Sequence, residues 1–402
     1  MRILVLTHRP VYPPLSGYSK VIIDTYRSIA EENRVMIITI TPRRKTVRIT
    51  NIDGVRYVEV PEPKQVFAKL LFTRAVLRIS NGELISHHLK KLAETYGDKS
   101  FSYILASLID AILGEPNIIV SETIYPALLG KSLAEYYGIP HIIRTHNIES
   151  LYIGSLVRIF KNKTRRNIEE LERRVLADAD KILTISLRDN ILIRKLYGIH
   201  NSIYIPPILI VKEPPNSKQI IRKYGLEEHK YFLYIASPHK PNVIFLREIL
   251  RCKNALKDLG YKIVIGGSIS PIAEKYIREG ESDVVGVAGI LSEAEKAGLI
   301  KKSYAVLAPH HGYGISIKLV EALALGVPVI TTKNSLSTLK GLVKNKNVYV
   351  INSIDEICNS MIKLVRDKEL YNTILEGARD MSRALDYRQL AKQMLLSLSE
   401  IP

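Results

Sequence analysis

The stretch Pro309-His310-His311-Gly312-Tyr313-Gly314-Ile315-Ser316-Ile317-Lys318-Leu319-Val320-Glu321-Ala322-Leu323-Ala324-Leu325-Gly326-Val327-Pro328-Val329-Ile330 decides the fold. It reads as a glycine loop, a helix, a glycine stop and a strand. The apolar run Tyr304–Ala308 just before it reads as a buried strand that Pro309 ends. Gly312 and Gly314 permit close backbone approach to a ligand. The helix is expected to start near Ile315 or Ser316, so unpaired N–H groups and the positive dipole end point into the loop. That arrangement is an anion site, and phosphate is the usual anion. Lys318 and Glu321 stand three residues apart and share one helical face. A cation suits a diphosphate, and a carboxylate suits the vicinal hydroxyls of a sugar. Gly326 and Pro328 stop the helix, and Val327–Thr332 starts the next strand.

Working outward, the same alternation fills the chain. Residues 2–7 form an apolar strand, followed by a loop containing Ser16-Gly17, a helix over about Ser19–Glu32 and a strand over Arg34–Thr41. That βαβ unit predicts a parallel sheet. Further strands are predicted at Val55–Val60, Ile118–Ser121, His141–Thr145 and Lys181–Ser186, with helices at about Tyr125–Tyr137 and Thr164–Ala177. A proline-rich connector, Pro206–Pro215, marks a domain junction. Beyond it come a strand at Tyr231–Ala236, a helix over Asn242–Leu259, strands at Tyr261–Gly266 and Val284–Ala288, and a helix over Glu293–Lys302. After the opening stretch, a strand at Asn347–Ile351 precedes a helical tail. The expected architecture is α/β, with two doubly wound, Rossmann-like domains (residues 1–210 and 216–384) facing a central cleft. A C-terminal helix, residues 385–402, is expected to return to the first domain. In such sheets ligands bind beyond the carboxyl ends of the strands.

Composition narrows the setting. At 402 residues, 46% hydrophobic and 24% charged, the chain is an ordinary globular protein long enough for two domains. Cys252 and Cys358 show no metal-ligand spacing and read as small core residues in a reducing compartment, without a disulfide. No run approaches the ~20 apolar residues of a spanning helix. The expected location is therefore cytoplasmic, with peripheral contact on the inner face of the cell membrane. A net charge of +18 attracts anions such as nucleotides, nucleic acid or acidic lipid. The absence of Trp and the abundance of Ile, Lys, Arg and Tyr suggest a thermophile.

The ordered motifs resemble GT-B glycosyltransferases of family four. Gly312–Thr332 resembles that family's nucleotide-sugar loop, in the subgroup reading G-x-G-x-x-x-K-x-x-E-A-x-A-x-G-x-P-V. Pro14-Leu15-Ser16-Gly17-Tyr18-Ser19 resembles its N-terminal P-x-S-G-G loop, with Tyr18 replacing a glycine. His146-Asn147-Ile148-Glu149 resembles H-N-x-E, and Ala179–Ser186 resembles A-D-x-[IV]-x-x-[IV]-S. Ser237-Pro238-His239-Lys240-Pro241-Asn242 resembles the loop ending in P-N that opens the second domain's first helix. Most of the family carries E-x7-E, and Tyr313 stands where its first glutamate would be.

The resemblance implies a retaining glycosyltransferase using a UDP- or GDP-sugar, with no cofactor and no metal. Gly17, Gly314, Ile315, Ser316, Lys318 and Lys240 are then assigned to the donor diphosphate, and Glu321 to the ribose. His146 and Lys318 are the expected catalytic groups, with the His146 ring donating a hydrogen bond to the donor sugar or leaving phosphate. Lys318 and the N–H donors would take the charge of the departing diphosphate. His310, His311 and Tyr313 are candidates for the donor sugar. Glu149 is expected to cap the following helix. The segment Lys64–Ile79 reads as a basic amphipathic helix, and Arg158–Arg174 adds positive charge. Together they suggest an anionic membrane surface and a lipid-linked or glycan acceptor. Two alternatives stay open: a non-catalytic nucleotide-sugar-binding partner subunit and a GT-B nucleotide-sugar epimerase. Nothing in the sequence resembles a nucleic-acid module.

Overall fold

The structure, a computed structural model, describes residues 1–14, 16–41, 46–61, 99–156, 161–277, 283–310 and 312–401. The chain divides into two compact units. One comprises Met1–Ile208, Gly312–Ile315 and Tyr387–Pro402, and the other Leu209–His311 and Ser316–Asp386.

The first unit is built on strands β1 (Arg2–Thr7), β2 (Arg34–Thr41), β3 (Arg48–Ile52), β4 (Val55–Pro61), β5 (Ile118–Glu122), β6 (His141–Thr145), β7 (Lys181–Thr184) and β8 (Ser202–Tyr204). They form one sheet in the order β3-β4-β2-β1-β5-β6-β7-β8. All neighbours are parallel except β3 and β4. The chain winds outward from β1 in one direction, then jumps to β5 and winds the other way. The carboxyl ends of β1 and β5 therefore flank a topological switch point. The central strands are buried along their length, as parallel strands covered on both faces must be.

Ser16 caps the Gly17–Ala30 helix. Its hydroxyl accepts the Ser19 N–H at 3.2 Å, and its own N–H reaches the Ser19 hydroxyl at 3.0 Å. The C-terminal helix Tyr387–Ser399 packs on Gly17–Ala30, and Lys181 Nζ donates to the Ser397 carbonyl at 2.7 Å.

In the second unit, β9 (Tyr231–Ile235), β10 (Lys262–Gly266), β11 (Val285–Gly289), β12 (Ala305–Leu307), β13 (Val329–Thr332) and β14 (Tyr349–Ile351) form a wholly parallel sheet. Its order is β11-β10-β9-β12-β13-β14, which puts a switch point between β9 and β12. Its core gathers Phe232, Phe245, Ile263, Leu307 and Met361 with their neighbours.

Three expectations need correction. The edge strands β3 and β8 were not anticipated. The single helix expected over Asn242–Leu259 is two, Lys240–Arg251 and Lys253–Asp258. The cysteines are not separate core residues: Cys252 and Cys358 form a disulfide, with their Cα atoms 5.1 Å apart. Packing of the helices Lys240–Arg251 and Ile357–Arg366 brings these distant positions together. The inference of a reducing compartment drawn from unpaired cysteines loses its basis.

Candidate functional site

The opening stretch folds largely as its residues dictate. After β12 the loop is tied to β13. The Thr332 hydroxyl accepts the His310 N–H at 3.0 Å and donates to the His310 carbonyl at 2.5 Å. Thr331 donates to the Ala308 carbonyl at 2.7 Å. The helix is Ile317–Ala324, slightly later than predicted, with Ser316 as its N-cap. The Ser316 side chain makes no capping bond. The first-turn N–H groups thus keep their capacity to bind an anion. His310 is 9% exposed, and His311 lies outside the described residues.

Lys318 rests over the Tyr234 ring of β9, with Nζ 4.9 Å from its centroid. Burial pushes its ammonium down to about 8, against the opposing pull of Glu321. Tyr234 in turn donates to the Asn242 carbonyl at 3.1 Å, and the Asn242 amide donates to the Ser237 carbonyl at 3.0 Å. These bonds hold the loop after β9 at the same switch point. Lys240 is the exposed first residue of the helix after that loop. Glu321 is 5% exposed and accepts a 2.7 Å hydrogen bond from Lys296 Nζ. Sequence reading missed Lys296, whose helix lies 25 residues upstream.

A second polar cluster sits at the carboxyl ends of β5 and β6 in the first unit. The register pairs Glu122 with Arg144, both almost fully buried. Arg144 Nη1 lies 3.2 Å from Glu122 Oε1, and the Tyr26 hydroxyl donates to the same oxygen at 2.6 Å. His146 Nε2 lies 2.6 Å from Glu122 Oε2. Burial alone would raise the Glu122 carboxyl, but Arg144, then His146 and Tyr26, hold it at about 2. An ionised carboxylate only accepts hydrogen bonds, so Nε2 carries the hydrogen. Burial, with Arg144, pushes the His146 pKa down despite Glu122, which favours the neutral ring. Its Nδ1 then bears a lone pair. That nitrogen can accept a hydrogen bond.

Around this dyad, the Tyr18 ring tilts against His146 at 4.9 Å, and His8 Nδ1 lies 3.2 Å from the Thr123 hydroxyl. Gly17 is the first residue of its helix, where its N–H is one of the four that the helix leaves unpaired. Gly314 adopts φ +77°, and a Cβ there would collide with Asn147 Oδ1. Tyr313, a candidate for the donor sugar, lies under the Arg188 guanidinium, 5.4 Å from its ring centroid. Arg188 also donates to the Gly312 carbonyl at 3.1 Å.

Glu149 does not cap its own helix. Glu172 does, accepting the N–H groups of Glu149 at 2.8 Å and Ser150 at 3.2 Å. The Glu149 carboxyl instead receives the Tyr125 hydroxyl at 2.9 Å, and burial with Glu172 pushes it up to about 7. A signal for Glu122 and Arg144 was present: charged residues inside apolar parallel strands are buried only when paired.

Among the described residues, no group of three or more His, Cys, Asp or Glu is arranged to hold a metal ion. None of the described helices is long and apolar enough to cross a membrane. The segment Lys64–Ile79 and residues Arg158–Phe160 lie outside the described residues.

Residues 229–367 match the family described as glycosyl transferases group 1. No curated protein matches the chain in sequence. Sucrose-phosphate synthase from Thermosynechococcus elongatus is similar in structure, with a TM-score of 0.69 at 14% identity, covering 98% of each chain. HepE of Anabaena, solved in complex with UDP-glucose, aligns with a TM-score of 0.65 at 14% identity over 99% of each chain. The catalytic domain of starch synthase IV from Arabidopsis thaliana, bound to ADP and acarbose, gives 0.63 at 12% identity over 99% of each chain. At such identities these likenesses speak for the fold. The chain thus has the GT-B fold, and its residues 229–367 are similar to the family described as glycosyl transferases group 1.

Proposed function

We propose that this protein transfers a sugar from a nucleoside diphosphate sugar to a glycan or lipid-linked acceptor, with retention of configuration and without a metal. The observation that carries this reading is the start of the Ile317–Ala324 helix. An N-terminus without a side-chain cap, the half-buried Lys318 on Tyr234 and the buried Glu321 lie together at the switch point of one parallel sheet. The solved complexes of HepE with UDP-glucose and of starch synthase IV with ADP support a nucleotide-sugar donor for this chain as well.

In this reading the bond between the anomeric carbon and the diphosphate oxygen breaks, the acceptor oxygen bonds to that carbon, and the acceptor's proton leaves with the diphosphate. Charge builds on the departing phosphate oxygens, where Lys318 and the amides of Gly314, Ile315 and Ser316 take it up. Glu321 accepts from the ribose hydroxyls. Lys240 and Gly17 are kept as further diphosphate contacts. The unprotonated Nδ1 of His146 accepts from a hydroxyl of the donor sugar and so orients the ring.

A thermal-shift screen against UDP- and GDP-sugars tests the reading, because a ligand that binds only the folded state raises the melting temperature. One class of donor is expected to shift the parent. Lys318→Ala and Glu321→Ala are each expected to bind it about tenfold to a hundredfold more weakly, as for lost hydrogen bonds to charged groups. Unchanged binding by both variants would overturn the site assignment. Slow hydrolysis of the bound donor separates an enzyme from a non-catalytic partner subunit.

A further inference from the structure

Lys296 is a second half-buried cation beside Glu321, and the proposed function gives it no part. It lies in the second turn of the Glu293–Lys302 helix, whose start is fixed by a Ser292–Glu295 capping box. Its side chain is 17% exposed. Nζ reaches Glu321 Oε1 at 2.7 Å and Glu293 Oε1 at 3.0 Å. Burial works against the ammonium, but Glu321 and then Glu293 outweigh it and raise its pKa. Lys296 is therefore a permanent cation held between two carboxylates.

Two consequences follow for the helix that carries the nucleotide-binding groups. First, Lys318 and Glu321 are spaced i, i+3, close enough to pair with each other. They do not pair within ion-pair distance: Glu321 turns its Oε1 to Lys296, and Lys318 lies on the Tyr234 ring. The ammonium of Lys318 thereby stays available to an incoming anion. Second, a glutamate anchored through one oxygen has little rotamer freedom left to lose when a ligand arrives. Among the described residues, the hydrogen bond from Lys296 is the one that reaches the Glu321 carboxylate. The other oxygen, Oε2, is left for a hydroxyl donor.

We infer that Lys296 is a positioning residue that aims Glu321 at the ribose of the nucleotide and keeps Lys318 free for the diphosphate. The inference rests on the ribose role proposed for Glu321, and the test separates the two. Dissociation constants of UDP and GDP, and of their 2′,3′-dideoxy forms, are measured by calorimetry for the parent, Lys296→Met, Lys296→Arg, Glu321→Gln and the Lys296→Met/Glu321→Gln double variant. The parent is expected to prefer one ribonucleotide over its dideoxy form by about tenfold, as for one or two well-made hydrogen bonds. Lys296→Met is expected to lose most of that preference while still melting cooperatively, and Lys296→Arg to keep much of it. The double variant is expected to resemble Glu321→Gln alone, because both changes act on one interaction. A Lys296→Met protein that folds and keeps the parent's preference overturns the inference and leaves the ribose role of Glu321 intact. A parent and a Glu321→Gln variant that both ignore the missing hydroxyls overturn that role and the inference with it.

Discussion

At the scale of single residues, the chemistry is set by which atom of a ring or carboxylate is already occupied. His146 illustrates this. Its Nε2–H is committed to Glu122, which Arg144 and Tyr26 keep ionised. Imidazole nitrogen shifts measured by NMR are expected to show the Nε2–H tautomer at neutral pH. A ring protonated on Nδ1 instead would contradict the assigned hydrogen bond. Glu122→Gln leaves the buried Arg144 facing a neutral amide and is expected to destabilise the fold by about 3–5 kcal/mol. Equilibrium denaturation reads that loss, and a variant as stable as the parent would show the pair to be inessential. Lys318, Glu321 and His146 stand out in the sequence as candidates because short-range spacing and motif likeness mark them. Lys296 does not, because its contact with Glu321 comes from a helix distant in sequence, and Glu122 shows only as a charge at the end of an apolar strand, its partner being set by register.

At the scale of elements, the Glu149–Leu156 helix is held at its start by a carboxylate from another helix, Lys161–Ala177. That leaves Glu149 and Glu172 as close buried neighbours. In the folded protein Glu149 keeps its proton up to about 7, whereas an ordinary glutamate releases it near 4.5. The native state therefore binds more protons than the unfolded chain between these values, and stability falls as pH rises through that window. Glu149→Gln, which mimics the protonated form, is expected to gain on the parent between pH 5 and pH 8. The gain is on the order of 3 kcal/mol for ~2.5 pKa units. Thermal melts across that range check it, and an offset independent of pH would refute the shift. Most strands were legible because buried parallel strands are unbroken apolar runs, as in Ile118-Ile119-Val120. The edge strand β3, Arg-Ile-Thr-Asn-Ile, is mostly exposed and lacks that signature. The break between the helices 240–251 and 253–258 carries no proline or glycine to announce it.

At the scale of the whole molecule, both units repeat one winding rule, outward from a central strand with a reversal beside it. The alternation of apolar strands and amphipathic helices made that rule readable, since it admits few topologies. The net charge of +18 belongs to this scale as well. Co-sedimentation with phosphatidylglycerol vesicles is expected at low salt, fading as ionic strength rises, with little binding to neutral phosphatidylcholine vesicles. Equal binding to both would remove charge as the cause. The bond between Cys252 and Cys358 has a consequence at this scale too. It encloses a covalent ring of chain with β10 through β14 and the entire glycine stretch inside it. A protease that cuts the backbone once within that ring produces two pieces that still migrate as one band until a reductant is added. A single chain break there, which would sever an unbridged domain, leaves this one covalently joined.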